Sequence, residues 1–278
     1  MSDRVPPTRP TTAAAAPPAA PPAAGAARET GSRLWMPHQH GAWAMLAVPL
    51  LLGVAASRPD AWQLVLAAAA VAGYLASATW QAWMRARRRP SFLPSLRLYG
   101  AAFAVLAAVL VVTHPGLVMA GVVLVPAAAF SLAGARPGAR REIGDTLAQL
   151  LQAIVLAPAA AYVSGAFDPP RVAAYTIVAA AYLVGTVLVV RSVIRERGNT
   201  PFAVGSVAFH VALVVVAAVL LPPAWAVVAA GLAIRAAALP WVQRRRAVTA
   251  HPLRPVQVGA VEAVAAIALV VVAFAVPL

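Results

Sequence analysis

From residue 40 onward the chain is apolar in blocks. Nine blocks, roughly 40–57, 61–84, 98–113, 115–134, 144–165, 171–191, 202–221, 224–240 and 256–277, are separated by short stretches carrying Pro, Gly or Arg. Most approach or exceed the ~18–20 residues that carry a helix across about 30 Å of hydrocarbon. The apolar residues run continuously rather than alternating, which fits helices in lipid and excludes barrel strands. "THPG" at 113–116 and "LPP" at 221–223 turn the chain between consecutive blocks. The pattern predicts an all-α polytopic membrane protein with nine transmembrane helices.

Residues 1–32 differ in kind. They are Pro/Ala low-complexity sequence, "TTAAAAPPAAPPAAGAA" at their centre, in which dense Pro forbids helix and nothing can build a core. The segment lacks the compact apolar region of a signal peptide. The expected organisation is a disordered tail, 1–32, followed by one transmembrane domain, 33–278.

Composition sharpens this reading. Residues AVILMFWYC make up 62% of the chain and charged residues 11%, which excludes an ordinary soluble domain. Without Cys there is no disulfide or thiolate chemistry. All 22 basic residues are Arg, and the formal charge is +14. That charge is explained by topology rather than by a nucleic-acid partner. Arg58 and Arg171 fall in loops on one side, whereas the tail arginines, Arg33, 85–89, Arg97, 136–141, 191–197, Arg235, 244–246 and Arg254 fall on the other. The positive-inside rule then puts the N-terminus in the cytoplasm and the C-terminus outside, in the cytoplasmic (inner) membrane. Trp35, Trp43, Trp80, Trp83 and Trp241 near one interface, and Trp62 and Trp225 near the other, form an aromatic belt. Asp60 and Asp168 sit beside Pro in short loops as turn residues. Glu262 lies inside the last block, where a carboxylate marks function unless it snorkels or pairs with Arg254.

Three constellations converge on the arginine-rich side. The first is "MPHQHGAWAML", 36–46, with His38, His40 and Trp43. An HxH pair can ligate metal, but a site needs three or four ligands, and His114, His210 and His251 are scattered. The other readings are an interfacial anchor and a polar site for an anionic or carbonyl group. The second is 134–168, where Arg140 and Arg141 precede a helix start that could hold an anion. There Asp145, Gln149 and Gln152 continue one polar stripe into the span, while the acids also complement the helix dipole. The third is "RSVIRERGNTPFAVGSVAFH", 191–210. Arg191 and Arg195 share a helix face, Glu196 can pair with an arginine, Gly198-Asn199 stops the helix, and His210 follows about two turns into the next.

"PHQHGAWAMLAVPLLLG" (37–53) together with "VVRSVIRERGNTPFAVGSVAFH" (189–210) resembles the YwiC-like family of bacterial integral membrane proteins, with HGAW its most specific motif. That resemblance implies a membrane architecture and no particular reaction. More distantly, the helix number and orientation are similar to the UbiA superfamily of membrane prenyltransferases, which implies a UbiA-like bundle. Residues 130–168 look like its fourth-to-fifth helix junction, and "RERGNTPFAVG" (195–205) falls where its second Asp-rich motif lies. The chain departs from that pattern, since no carboxylate stands between Asp60 and Glu142 and the loop after the sixth helix holds one, Glu196. Mg²⁺ needs several oxygen ligands, so no metal or other cofactor is expected.

The resulting expectation is a protein that binds a lipophilic anion, a phospholipid or an isoprenoid quinone or phosphate, in a cytoplasm-facing polar cavity without catalysis. Its candidate ligand-binding residues are His38, His40, Trp43, Arg140, Arg141, Asp145, Gln149, Arg191, Arg195, Glu196, Asn199 and His210. One alternative is a UbiA-like prenyl or lipid transferase in which arginines replace Mg²⁺. Another is a small transporter, which the odd helix count and lack of an inverted repeat disfavour. No protein partner is indicated.

Overall fold

The computed structural model describes Trp35 and residues 40–134, 143–248 and 253–278. The tail, His38, Arg140 and Arg141 lie outside the described residues, as does the side chain of His40. Among the described residues the regular structure is wholly helical. The helices are α1 His40–Ala56, α2 Ala61–Arg85, α3 Leu93–Thr113, α4 Val118–Ala133, α5 Ile143–Ile154, α6 Leu156–Val163, α7 Pro169–Ile194, α8 Thr200–Leu220, α9 Pro223–Val248 and α10 Pro255–Ala275. Single 3₁₀ turns, Pro90–Phe92 and Pro115–Leu117, lead into α3 and α4.

Eight stretches among these residues are long and apolar enough to cross a membrane, and α1 is a shorter apolar helix beside them. The blocks read from the sequence are thus all present as helices, with shifted ends. The fifth is a single span interrupted at Val155. Pro158 explains the interruption: it has no N–H for the Ile154 carbonyl, and its ring crowds that oxygen. The eighth does not stop at 240 but continues through Pro240 to Val248, because membrane helices tolerate proline where neighbours re-satisfy the backbone.

Short polar stretches fix the ends. Asp60 caps α2, its side chain accepting from the Trp62 amide at 2.8 Å, while the Gln63 side-chain oxygen Oε1 accepts from the Asp60 amide at 3.0 Å. This is the reciprocal capping box. The far end of α2 closes with Arg88 N–H on the Trp83 carbonyl and Arg87 N–H on that of Met84. This 6→1 and 5→2 closure places Arg87 and Arg88 at φ 52° and 60°.

Helix α1 is the hub. It packs against α6, α7 and α10, with Val48 and Leu52 fully enclosed. Gly53 makes its approach to α6 possible: a Cβ there would overlap the Ala157 carbonyl oxygen and the Ala160 methyl. Small residues that let backbones approach are the usual device for joining helices in lipid. The α2–α3 and α8–α9 hairpins flank this centre. The last residues are tied down at the end opposite the 195–199 loop. The Tyr175 hydroxyl donates to the Ala273 carbonyl (3.0 Å) and accepts from the Leu278 amide (3.2 Å), and the Trp225 indole donates to the Val276 carbonyl (3.0 Å). The outer faces of α3 and α4, with Val105, Val112, Met119 and Val125, are exposed, as a lipid-facing surface is.

Candidate functional site

Each of the four C-terminal helices contributes to one buried polar cluster. Arg235 of α9 donates from Nη1 to Glu262 Oε2 of α10 at 2.6 Å. The guanidinium also faces His210 of α8, with Nη2 at 3.4 Å from Nε2. From α7, the Tyr182 hydroxyl donates to the Glu262 main-chain carbonyl at 3.3 Å. The Thr186 hydroxyl stands beside the carboxylate, though neither it nor Glu262 Oε1 completes a hydrogen bond. Gly185 makes room for the imidazole, since a Cβ there would come within 2.8 Å of Nε2. His210 is 1% exposed, Glu262 5% and Arg235 7%.

Helix rise puts these groups about 10–20 Å in from the helix ends on the side that carries the 195–199 loop. A charge at the bilayer centre costs about 2.5–3.5 kcal/mol even on the lenient insertion scale. The pair is therefore held by mutual neutralisation, not by solvation. Between the cluster and that end lies an apolar layer of Val189, Val193, Ala236, Leu239, Leu253 and Val258.

Beyond the layer the bundle opens. A cavity of about 440 Å³ is lined by Ser192, Glu196, Arg197, Asn199, Gln243 and Arg244, among others. Asn199 shapes it by capping α8: Oδ1 accepts from the Phe202 amide (3.1 Å) and Nδ2 donates to Glu196 Oε2 (3.0 Å). Gly198, at φ +81°, turns the chain just before it. Arg197 donates from Nε to the Val193 carbonyl (2.9 Å), and Arg244 donates to the Thr200 hydroxyl (3.2 Å). Gln243 accepts from the Leu253 amide (2.7 Å) through its oxygen, while its buried Nε2 has no partner. A second concavity of about 420 Å³ shares Ala203, Pro240 and Arg244 with the first. It runs between α8 and α9 over Val204, Val207, Ala208, Val211, Ala237 and Trp241.

Of the residues read from the sequence, the structure joins Arg191, Glu196 and Asn199. Arg191 lies 3.5 Å from Glu196 Oε1 and over the Phe202 ring at 5.8 Å. Arg195 is exposed at the C-cap of α7. Asp145 and Gln149 contact each other at 3.3 Å, and Gln152 turns toward Ser131 of α4 at 3.5 Å. Trp43 meets Tyr74 of α2 edge-on, with centroids 5.8 Å apart. His210 belongs to the deeper cluster.

Two expectations are corrected. Arg235 is not a loop arginine of the positive-inside set; it lies midway along α9 and is buried. Glu262 neither snorkels nor pairs with Arg254, because Arg235 reaches it first. Sequence reasoning also missed Arg197, Gln243 and Arg244 as neighbours of one cavity. For Arg235 a signal was present. It stands 12 positions past Pro223, inside an apolar run, in a chain whose last span holds one unmatched carboxylate.

The helical spans, their lipid-facing faces and the buried charge pair define a polytopic α-helical membrane protein. Residues 36–161 match the family model described as YwiC-like protein. A similar curated relative is "Uncharacterized protein YwiC" of Bacillus subtilis (strain 168), 29% identical over 187 residues, which are 64% of this chain and 74% of that protein. No solved structure matches.

Proposed function

We propose that this YwiC-like membrane protein binds, without catalysis, a lipid with an anionic phosphate headgroup, and that it sits in the cytoplasmic membrane with its N-terminus inside and its C-terminus outside. The observation that carries the reading is the junction of two unlike concavities at Ala203, Pro240 and Arg244. One offers the Arg197 and Arg244 guanidiniums and an unpartnered Gln243 amide. The other offers an apolar groove about as long as three turns of α8. A phosphate in the first and an acyl or prenyl chain in the second would match both, and guanidinium–phosphate hydrogen bonds are the strong, charge-assisted kind. The arginines at this end are those the positive-inside rule assigns to the cytoplasm.

The test is lipid extraction and mass spectrometry of the purified full chain and of the Arg197→Ala/Arg244→Ala variant. A phosphate-headed lipid should co-purify at fixed stoichiometry. Removing two charge-assisted bonds, each worth about 1.5–3 kcal/mol, should reduce retention by at least about a hundredfold. Equal lipid content in both proteins, or a neutral quinone as the retained species, overturns the reading.

A further inference from the structure

We infer that the Arg235–Glu262–His210 cluster is a proton-binding site, with Oε1 of Glu262 as the atom that takes the proton. The inference rests on how the pair is joined. Guanidinium–carboxylate pairs frequently meet fork to fork, both oxygens engaged, which adds strength and specificity. Here Arg235 uses Nη1 on Oε2 alone, and Glu262 Oε1 is buried without a hydrogen bond. Arg235 Nε and Ser206 Oγ are likewise buried and unpartnered. A half-satisfied buried network is poor cohesion, but it leaves an oxygen that can accept a proton without any existing hydrogen bond being broken.

The neighbouring imidazole is poised to hold the arginine when this happens. His210 Nδ1 lies 2.7 Å from the Ser206 carbonyl, which can only accept, so Nδ1 carries the hydrogen. The Nε2 lone pair then faces Arg235 Nη2. The cluster thus contains a carboxylate, a guanidinium and a neutral imidazole. In the binding step an O–H bond forms on Glu262 Oε1 with a proton from water, no bond within the protein breaks, and the cluster goes from neutral to +1. Arg235 keeps His210 as an acceptor throughout. The charged and titratable groups facing Glu262 are Tyr182 from α7, His210 from α8 and Arg235 from α9. Residues 41–56 of α1, which also packs on α10, contain no titratable side chain.

The surroundings select the ligand. Val189, Val193 and Ala236, each at 0% exposure, close the layer between the cluster and the polar cavity. An apolar constriction of this kind excludes hydrated ions and phosphates while brief wetting passes protons.

Infrared difference spectroscopy of the full chain in lipid nanodiscs, across a pH series, reads the protonated carboxyl directly. The chain has four glutamates, Glu29, Glu142, Glu196 and Glu262, so ¹³C-glutamate labelling separates them from aspartate without mutation. The expected result is a glutamate carboxyl band in the range for an apolar setting, exchanging slowly in D₂O and lost in Glu262→Gln. If that variant does not fold, the isotope shift and slow exchange in the native chain decide. A glutamate that stays ionised at every pH where the protein is folded overturns the inference. So does a band that survives in folded Glu262→Gln, or one that exchanges as fast as a solvent-facing carboxyl.

Discussion

Breaking the buried pair from either side should not be symmetric. Glu262→Leu leaves Arg235 charged at 7% exposure without its carboxylate, still 3.4 Å from His210. A guanidinium cannot shed its proton. Arg235→Leu leaves a carboxylate, which can be neutralised by taking one up. Removing one partner of a buried pair costs about 3–5 kcal/mol in water-soluble proteins. In lipid the unfolded reference keeps its helices inserted and already bears part of that burden. We therefore expect about 3 kcal/mol for Glu262→Leu and about 1–2 kcal/mol for Arg235→Leu. The double variant should fall within about 1 kcal/mol of the native chain, since well-packed apolar replacements of buried pairs are often neutral. The coupling energy of the cycle is then at least about 3 kcal/mol. Reversible unfolding by sodium dodecyl sulfate from mixed micelles, followed by the fluorescence of the seven tryptophans, measures all four corners. A coupling below about 1 kcal/mol, the range of exposed pairs, would show that Glu262 and Arg235 are hydrated and would refute the reasoning.

Gly53→Leu should cost at least about 1–3 kcal/mol in the same assay, because the new side chain has to displace the Ala157 backbone. Gly121→Ala, where nothing lies within 4 Å, should be neutral or slightly stabilising. The natural absence of Cys makes orientation a clean measurement. In intact cells, Ser91→Cys should be protected from an impermeant thiol reagent and Phe167→Cys should react; the reverse pattern would overturn the assigned topology.

The spans were legible because lipid imposes two simple demands, enough apolar length and no exposed backbone polar groups, and the chain marks its turns with Pro and Gly. The ends were less so. A proline stops a helix in water but not always in a bundle, so α9 runs on through Pro240 while Pro158 does break the fifth span. The site was half legible for a related reason. Glu196, Asn199 and Arg191 are neighbours in sequence and remain neighbours in space. Arg197 and Gln243 meet only because the α7–α8 loop folds over the end of α9, and no local pattern announces that. Arg235 was misplaced because counting arginines for topology treats each as a boundary marker. A buried partner turns the same residue into part of the interior.

The position of α1 sets the order in which this protein can be made. Among the described helices it is the first to be synthesised, yet its neighbours include α6, α7 and α10. Some 220 residues separate the end of α1 from the end of α10, which is roughly 10–45 s of synthesis at 5–20 residues per second. The notch at Gly53 waits for α6, and the face of α1 that meets α10 stays open for the whole of that interval. A chain stalled before α10 would leave one face of this central helix open, so the bundle can close around α1 only after α10 has been made.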